Sequence, residues 1–227
     1  MTIRAVLFDV FGTLLDVQSV WARADQLFPG NGAQLARLWR EKQLEYTRLR
    51  TMSSRYVPFT RVTEDALQFA CDALALPLDA AARGMLMHEY TQLDPFPDAV
   101  PSLKKLEQAG VTMGVLSNGD PGLLDDVLHG AGLADYFDIV LSADQVHAFK
   151  TSPAVYELGP LTLKHPASEI VLVSSNAWDA IGAKWYGYVS FWVNRSGGPL
   201  DRLGERPDAI GKSLDDAAGF VLQSVKR

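Results

Sequence analysis

The sequence predicts an α/β fold, a parallel-sheet core interrupted near its start by an inserted helical domain. Three observations predict it. A single strand-like run, Arg4–Phe8, opens the chain; residues 17–90 then read as helix without a convincing strand; and from about residue 100 short β-branched runs alternate with helical periods. Such alternation implies parallel strands with helices on both faces, a Rossmann-like core.

The elements follow in order. The first strand ends at Asp9, and Gly12 marks the loop beyond it. In the helical stretch Asp16, Ser19, Thr63 and Asp79 are plausible caps, and Leu35, Leu38, Trp39, Tyr46 and Leu49 recur at helical spacing. The proline-rich "PFPDAVPSL" (95–103) punctuates the chain and is expected to be a hinge. A helix carrying Val100, Leu103 and Leu106 leads to the strand "VTMGVL". A helix with Leu124, Val127 and Leu128 precedes "FDIVLSA", and a helix over Pro153–Leu163 precedes "EIVLVS". Ala177–Tyr186 is predicted helical, "VSFWVN" a strand, and Asp208–Ile210 a short last strand before an amphipathic helix. The expected domains are residues 1–15 with 97–227 as the core and residues 16–96 as a helical cap.

Composition bounds the function. The 227 residues suit one domain with a substantial insertion, and 48% hydrophobic against 21% charged residues allows a real core. The net charge of −6 is dispersed, with no cationic stripe, so nucleic acid is not an expected partner. A small anionic substrate needs only one or two local cations. Cys71, the single cysteine, cannot form an internal disulfide; its apolar flank "ALQFACDAL" points to burial, and none of the four histidines stands in a cysteine-hydrolase context. No apolar run approaches the ~20 residues that span a bilayer, and no signal peptide is visible, so no membrane association and a cytoplasmic location are expected.

Chemistry in such sheets gathers at the carboxyl ends of the strands. The first offers Asp9 before "VFGT", the second Ser117 and Asn118 in "VLSNGD". Lys150 follows the third in "AFKTSP", and the fourth runs into Ser174, Ser175, Asn176 and Asp179 in "VLVSSNAWDA". Asp9 would be a nucleophile, since a carboxylate attacks at neutral pH without losing a proton. Gly12 would allow a tight turn and Thr13 would donate to the carboxylate; Lys150 would keep it ionised. Ser117 and Asn118 offer donors for a substrate carboxylate. Each also has an ordinary reading: a loop acid, a solvated lysine, a simple turn.

"FDVFGTLLDV" (8–17) resembles the nucleophile loop of the haloacid dehalogenase superfamily, and "LSNG" and the lysine loop resemble its next two signatures, in order over nearly the whole chain. Phosphatases of that superfamily carry a second aspartate two residues past the nucleophile as general acid; here the position is Phe11. A departing halide needs no proton. Where those phosphatases follow the fourth strand with a pair of acids, which serve magnesium, "SSNAWDA" has Asp179 alone and resembles the 2-haloacid dehalogenase loop.

The resemblance implies hydrolysis of short (S)-2-haloalkanoic acids to (R)-2-hydroxy acids through an aspartyl ester, with no cofactor and no metal. It assigns Asp9, Thr13, Arg40, Ser117, Lys150, Tyr156, Ser174, Asn176 and Asp179 to catalysis. Arg40 would also meet the halogen and carboxylate of the substrate. Val10, Phe11, Leu44, Phe59, Ser117, Asn118 and Trp178 would form the substrate pocket, although core packing explains Leu44, Phe59 and Trp178 equally well. Tyr156 would hydrogen-bond near the nucleophile. A homodimer through the cap helices is implied by analogy. Two departures bear on anion binding: tyrosine is common where Phe11 stands, and a neutral amide where Glu41 stands. The alternatives are a magnesium-dependent phosphatase of the same superfamily and a catalytically silent binding protein of the same fold.

Overall fold

A computed structural model describes residues 2–225. Six parallel strands lie in the order β3-β2-β1-β4-β5-β6: β1 (Ala5–Phe8), β2 (Thr112–Ser117), β3 (Ile139–Ser142), β4 (Ile170–Ser174), β5 (Val189–Val193) and β6 (Ala209–Gly211). Their near-continuous apolar runs are what burial on both faces demands. The chain winds one way from β1 through β2 to β3 and the other way from β4 outward, so the crevice of such a sheet falls between β1 and β4. Phe8 is level with Val115 and with Val173, which brings Asp9 out beside the ends of both neighbouring strands.

Helices α1 (Gln18–Leu27), α2 (Gly32–Met52), α3 (Phe59–Ala73) and α4 (Ala80–Glu89) separate β1 from α5 (Ala99–Gln108). The remaining α-helices of the described residues are α6 (Pro121–Gly130), α7 (Pro153–Leu163), α8 (Ala177–Tyr186) and α9 (Leu214–Ser224). The two chain crossings between the helical insert and the sheet run side by side. The Asp16 amide donates to the Asp94 carbonyl at 2.8 Å and the Phe96 amide to the Leu14 carbonyl at 2.9 Å.

Several expectations are corrected. The proline-rich hinge is narrower than 95–103, because residues 99–103 already belong to α5. Pro101 sits in its first turn, where no backbone N–H is required. Asp79 does cap α4, accepting from the Ala82 amide at 2.7 Å. Ser19 and Thr63 lie inside α1 and α3 instead, since α3 begins at Phe59 directly after Pro58. Asp16 accepts from the Gln18 amide at 2.9 Å but precedes the capping position of α1. Of the α2 stripe, Leu35 and Trp39 are buried, whereas Leu49 is exposed. Cys71 is buried, and burial pushes its thiol up to about 11.

Candidate active site

Gly12 turns the loop after β1 through a left-handed conformation (φ +85°), which lets Thr13 fold back over the strand end. Its hydroxyl donates to Asp9 Oδ2 at 3.0 Å and accepts the Ser175 amide at 2.9 Å, joining the loops after β1 and β4. Asn176 Nδ2 at 2.8 Å and the Ser174 hydroxyl at 3.4 Å donate to the same Asp9 oxygen. Oδ1 faces Lys150 Nζ at 3.2 Å. Asp9 is only 7% exposed, so a reaction partner must come through the cavity in front of it.

Lys150 is itself buried and is placed by its own amide, which donates to Asn118 Oδ1 at 2.8 Å. Its ammonium spans two carboxylates, Asp9 and, at 2.7 Å, Asp179 Oδ2. Burial alone would lower the lysine pKa, but the charges of Asp179 and Asp9 outweigh it and raise it. For Asp179, wholly buried, burial pushes the carboxyl above its ordinary range, and Lys150 offsets this only in part. The other Asp179 oxygen accepts from the Tyr156 hydroxyl at 2.8 Å. Tyr156 therefore reaches the nucleophile through Asp179 and Lys150, not directly. Among the described residues no group of three or more His, Cys, Asp or Glu side chains comes together to hold a metal ion. The site's two carboxylates instead share the Lys150 ammonium.

A tight cavity of about 10 Å³ opens onto Asp9. Ser117, Asn118 and Asn176 join Asp9 on its sheet side, Phe11, Phe59 and Trp178 are its apolar walls, and Arg40 and Leu44 reach it from α2. Arg40 and Leu44, four residues apart, share one helix face. The Ser117 hydroxyl accepts the Gly119 amide at 3.2 Å, which leaves its proton for a ligand. Phe11 and Phe59 stack at 5.6 Å, and the Arg48 guanidinium lies 5.4 Å from the Trp178 ring. Larger cavities exist, including one of about 350 Å³ beside α6 and β3, but it carries none of these groups.

Two residues sit differently from expectation. Val10 does not line the cavity: its side chain is fully buried, and its carbonyl accepts the amides of Thr13, Leu14 and Leu15, so it shapes the loop. Glu41 is exposed and lies outside the cavity beside Arg40. Sequence reasoning missed Gln43, which is fully buried and accepts from Arg40 Nη1 at 2.5 Å. Its only sequence signal was the three-residue spacing from Arg40. It also missed Arg195, whose guanidinium donates to the Thr13 carbonyl at 3.1 Å and pairs with Asp98. Nothing in the pattern around β5 marked that residue.

Residues 3–187 match the family model described as haloacid dehalogenase-like hydrolase. An (S)-2-haloacid dehalogenase of Pseudomonas sp. (strain YL) is 47% identical over 224 residues, 96% of this chain and 97% of that protein. A crystallised L-2-haloacid dehalogenase, 48% identical, superimposes with a TM-score of 0.96 over 98% of this chain and 100% of the other. A second, from Xanthobacter autotrophicus with chloropropionic acid covalently bound, is 35% identical, with a TM-score of 0.91 over 97% of this chain and 99% of that one. On the family match, the relatives and the arrangement around Asp9, this chain belongs to the haloacid dehalogenase-like hydrolases.

Proposed function

We propose that the chain hydrolyses the carbon–halogen bond of short (S)-2-haloalkanoic acids, giving (R)-2-hydroxy acids and halide. One observation carries the reading. The carboxylate of Asp9, anchored on one oxygen by three side-chain donors and facing Lys150 on the other, closes the inner end of a small cavity whose far side is Arg40.

An oxygen of Asp9 attacks the halogen-bearing carbon from the side opposite the halogen; the C–O bond forms as the carbon–halogen bond breaks, and the halide leaves with the electron pair. Arg40 receives the halide and, with Ser117 and Asn118, holds the substrate carboxylate. Phe11, Phe59, Leu44 and Trp178 exclude bulk water from the attack. Water then adds to the carbonyl carbon of the Asp9 ester and the 2-hydroxy acid departs with one aspartate oxygen. Thr13, Ser174 and Asn176 hold that carbonyl oxygen as charge develops on it. Asp179, whose raised pKa makes it a stronger base than a solvated carboxylate, accepts the proton of the water and passes it to the departing alkoxide oxygen, with Lys150 and Tyr156 fixing it.

The donor set favours this over phosphoryl transfer. Phe11 cannot protonate a leaving alkoxide, and the ammonium of Lys150 already serves the two carboxylates. We also infer that residues 16–96 act as a cap domain and that the protein is a cytoplasmic homodimer. The paired crossings at Asp16–Asp94 and Leu14–Phe96 support the cap boundaries, and exposed Leu49, Met52 and Phe69 on α2 and α3 offer an apolar contact. No helix among the described residues is long and apolar enough to cross a membrane. Light scattering reads the dimer.

The test of the activity is chloride release from (S)-2-chloropropionate in EDTA-treated buffer. One turnover in heavy-oxygen water should place a heavy oxygen on Asp9, and Asp9→Asn should lose activity by a factor on the order of 10⁵. Phosphate release from a phosphate ester that requires magnesium, with no chloride release, would sink the proposal.

A further inference from the structure

Gln43 stands one turn past Arg40 on α2 and is fully buried, a position that penalises a primary amide unless both its ends are bonded. Both are. Arg40 Nη1 donates to Gln43 Oε1 at 2.5 Å, Gln43 Nε2 donates to Thr63 Oγ1 at 2.7 Å, and that hydroxyl donates to the Phe59 carbonyl at 2.8 Å. Chemistry fixes the direction of this chain. A guanidinium has only donors, so the amide oxygen must face Arg40; the amide nitrogen is left for Thr63, and the single hydroxyl proton goes to Phe59. The relay thus joins two residues that line the cavity from different helices, Arg40 on α2 and Phe59 at the start of α3.

A neutral acceptor orients a guanidinium and leaves its charge uncancelled. A carboxylate at the same place would orient it equally well and neutralise it. An apolar side chain of the same length would fill the space and orient nothing. The choice of an amide at this buried position matches a cation whose positive charge is needed elsewhere.

From this we infer that Gln43 is a positioning residue, one that holds the Arg40 guanidinium in the cavity with its charge available to the carboxylate and the departing halide of the substrate. The inference rests on the proposed role of Arg40 as the anion-binding cation, and it extends the recognition machinery one residue beyond the cavity wall.

The experiment is a double-mutant cycle on the full chain, reading kcat and KM for (S)-2-chloropropionate and the inhibition constant of propionate, a carboxylate that cannot react. Gln43→Glu should raise KM and the propionate constant by about tenfold, because the new carboxylate pairs with Arg40. Gln43→Met should raise both by about fivefold with a smaller change in kcat, since the hydrogen bond to a charged group is lost. In an Arg40→Ala background Gln43→Met should add less than about a further twofold, because residues that act through one another are not additive. A Gln43→Met effect that multiplies in full on Arg40→Ala overturns the inference and leaves Gln43 a packing residue. So does a Gln43→Glu protein whose KM and propionate constant match the parent. If circular dichroism shows the Gln43 variants unfolded, Thr63→Val enters the same cycle from the other end of the relay. Its expected threefold rise in KM should vanish without Arg40, and persistence there overturns the inference just as well. An Arg40→Ala protein with unchanged KM and propionate constant has a different meaning: the anion role of Arg40 itself falls, whatever Gln43 does.

Discussion

The sheet side and the helical side of the cavity are built in opposite ways. On the sheet side, Asp9, Lys150 and Asp179 are almost wholly buried and interlocked, with Thr13, Ser174, Asn176 and Tyr156 filling the remaining carboxylate positions. On the helical side, Arg40 and Leu44 are half-buried on a single helix, and Arg40 is oriented by Gln43. The helical insert meets the sheet domain through aromatic contacts, Phe11 with Phe59 and Tyr90 and Phe149 with Tyr56 and Phe59, and through polar contacts beside them. The Thr60 amide and hydroxyl donate to Asp120 Oδ2 at 2.8 and 2.7 Å, and the Tyr56 hydroxyl donates to Asp144 at 2.6 Å. The Phe149 amide donates to Thr51 Oγ1 at 2.9 Å. A preorganised charge cluster suits bond-making, where a small displacement costs much in rate; a face carried on a separate helical insert suits substrate entry and release.

The largest effect should come from breaking the sheet side at its cation. Lys150→Met leaves two buried carboxylates facing each other, and removing one partner of a buried ion pair costs about 3–5 kcal/mol. The melting temperature should fall by roughly 10 °C at pH 8. The pH dependence has a definite sign. Asp179 already has a raised pKa, and loss of Lys150 raises it further, so the folded state binds a proton more readily than the unfolded one. The deficit should therefore shrink as pH falls through that raised value, and calorimetry at pH 5 and pH 8 compares the two. An equal deficit at both pH values would mean that the carboxylates are solvated and the sheet side is not the dry cluster described.

How much was legible in the sequence follows the same division. The sheet side was legible because the covalent order of a parallel sheet delivers strand ends to one edge: once β1, β2 and β4 are recognised, Asp9, Ser117 and Ser174 have nowhere else to go. The helix limits Pro153–Leu163 and Ala177–Tyr186 were readable for a related reason, since a strand and a loop flank each. The helical side depends on which face of α2 meets which face of α3, and periodicity leaves that rotation open. Gln43, a polar residue on a charged helix, gave no hint that it is buried. Thr63 looked like a cap and is instead a mid-helix hydroxyl bonding back to Phe59. Arg195 reaches the Thr13 carbonyl from a loop 182 residues away in sequence, a distance no local pattern encodes.

A smaller effect sharpens the role of the second carboxylate. Tyr156→Phe removes a hydrogen bond that stabilises ionised Asp179 and leaves the fold's packing nearly intact. The pKa of Asp179, already raised, should rise further, because the Tyr156 hydrogen bond favours its ionised form. In the proposed mechanism ester hydrolysis needs Asp179 ionised, so the acid limb of its single-turnover rate should move up in pH with it, with little change well above it. An unmoved acid limb would remove Asp179 from the role of base and leave it as the partner that holds Lys150.

The smallest effect tests the other side of the comparison, the attachment of the helical insert. Asp120 caps two helices at once. Its Oδ1 accepts the Leu123 amide in the first turn of α6, at 3.4 Å, while Oδ2 accepts the amide and hydroxyl of Thr60 in the first turn of α3, which has no side-chain cap of its own. Phe59, a wall of the cavity, is the adjoining residue. Serine is as good an N-cap as aspartate but is too short to serve both helices, so Asp120→Ser keeps the α6 cap and severs the link to α3. With Arg40 and Leu44 untouched, KM should rise by about threefold, a modest change because the two lost bonds are exposed, and kcat should hold or increase slightly as release becomes easier. A fall in kcat of tenfold or more with KM unchanged would mean that this contact shapes the bond-making geometry itself, and the division between a bond-making sheet side and a substrate-admitting helical side would not stand.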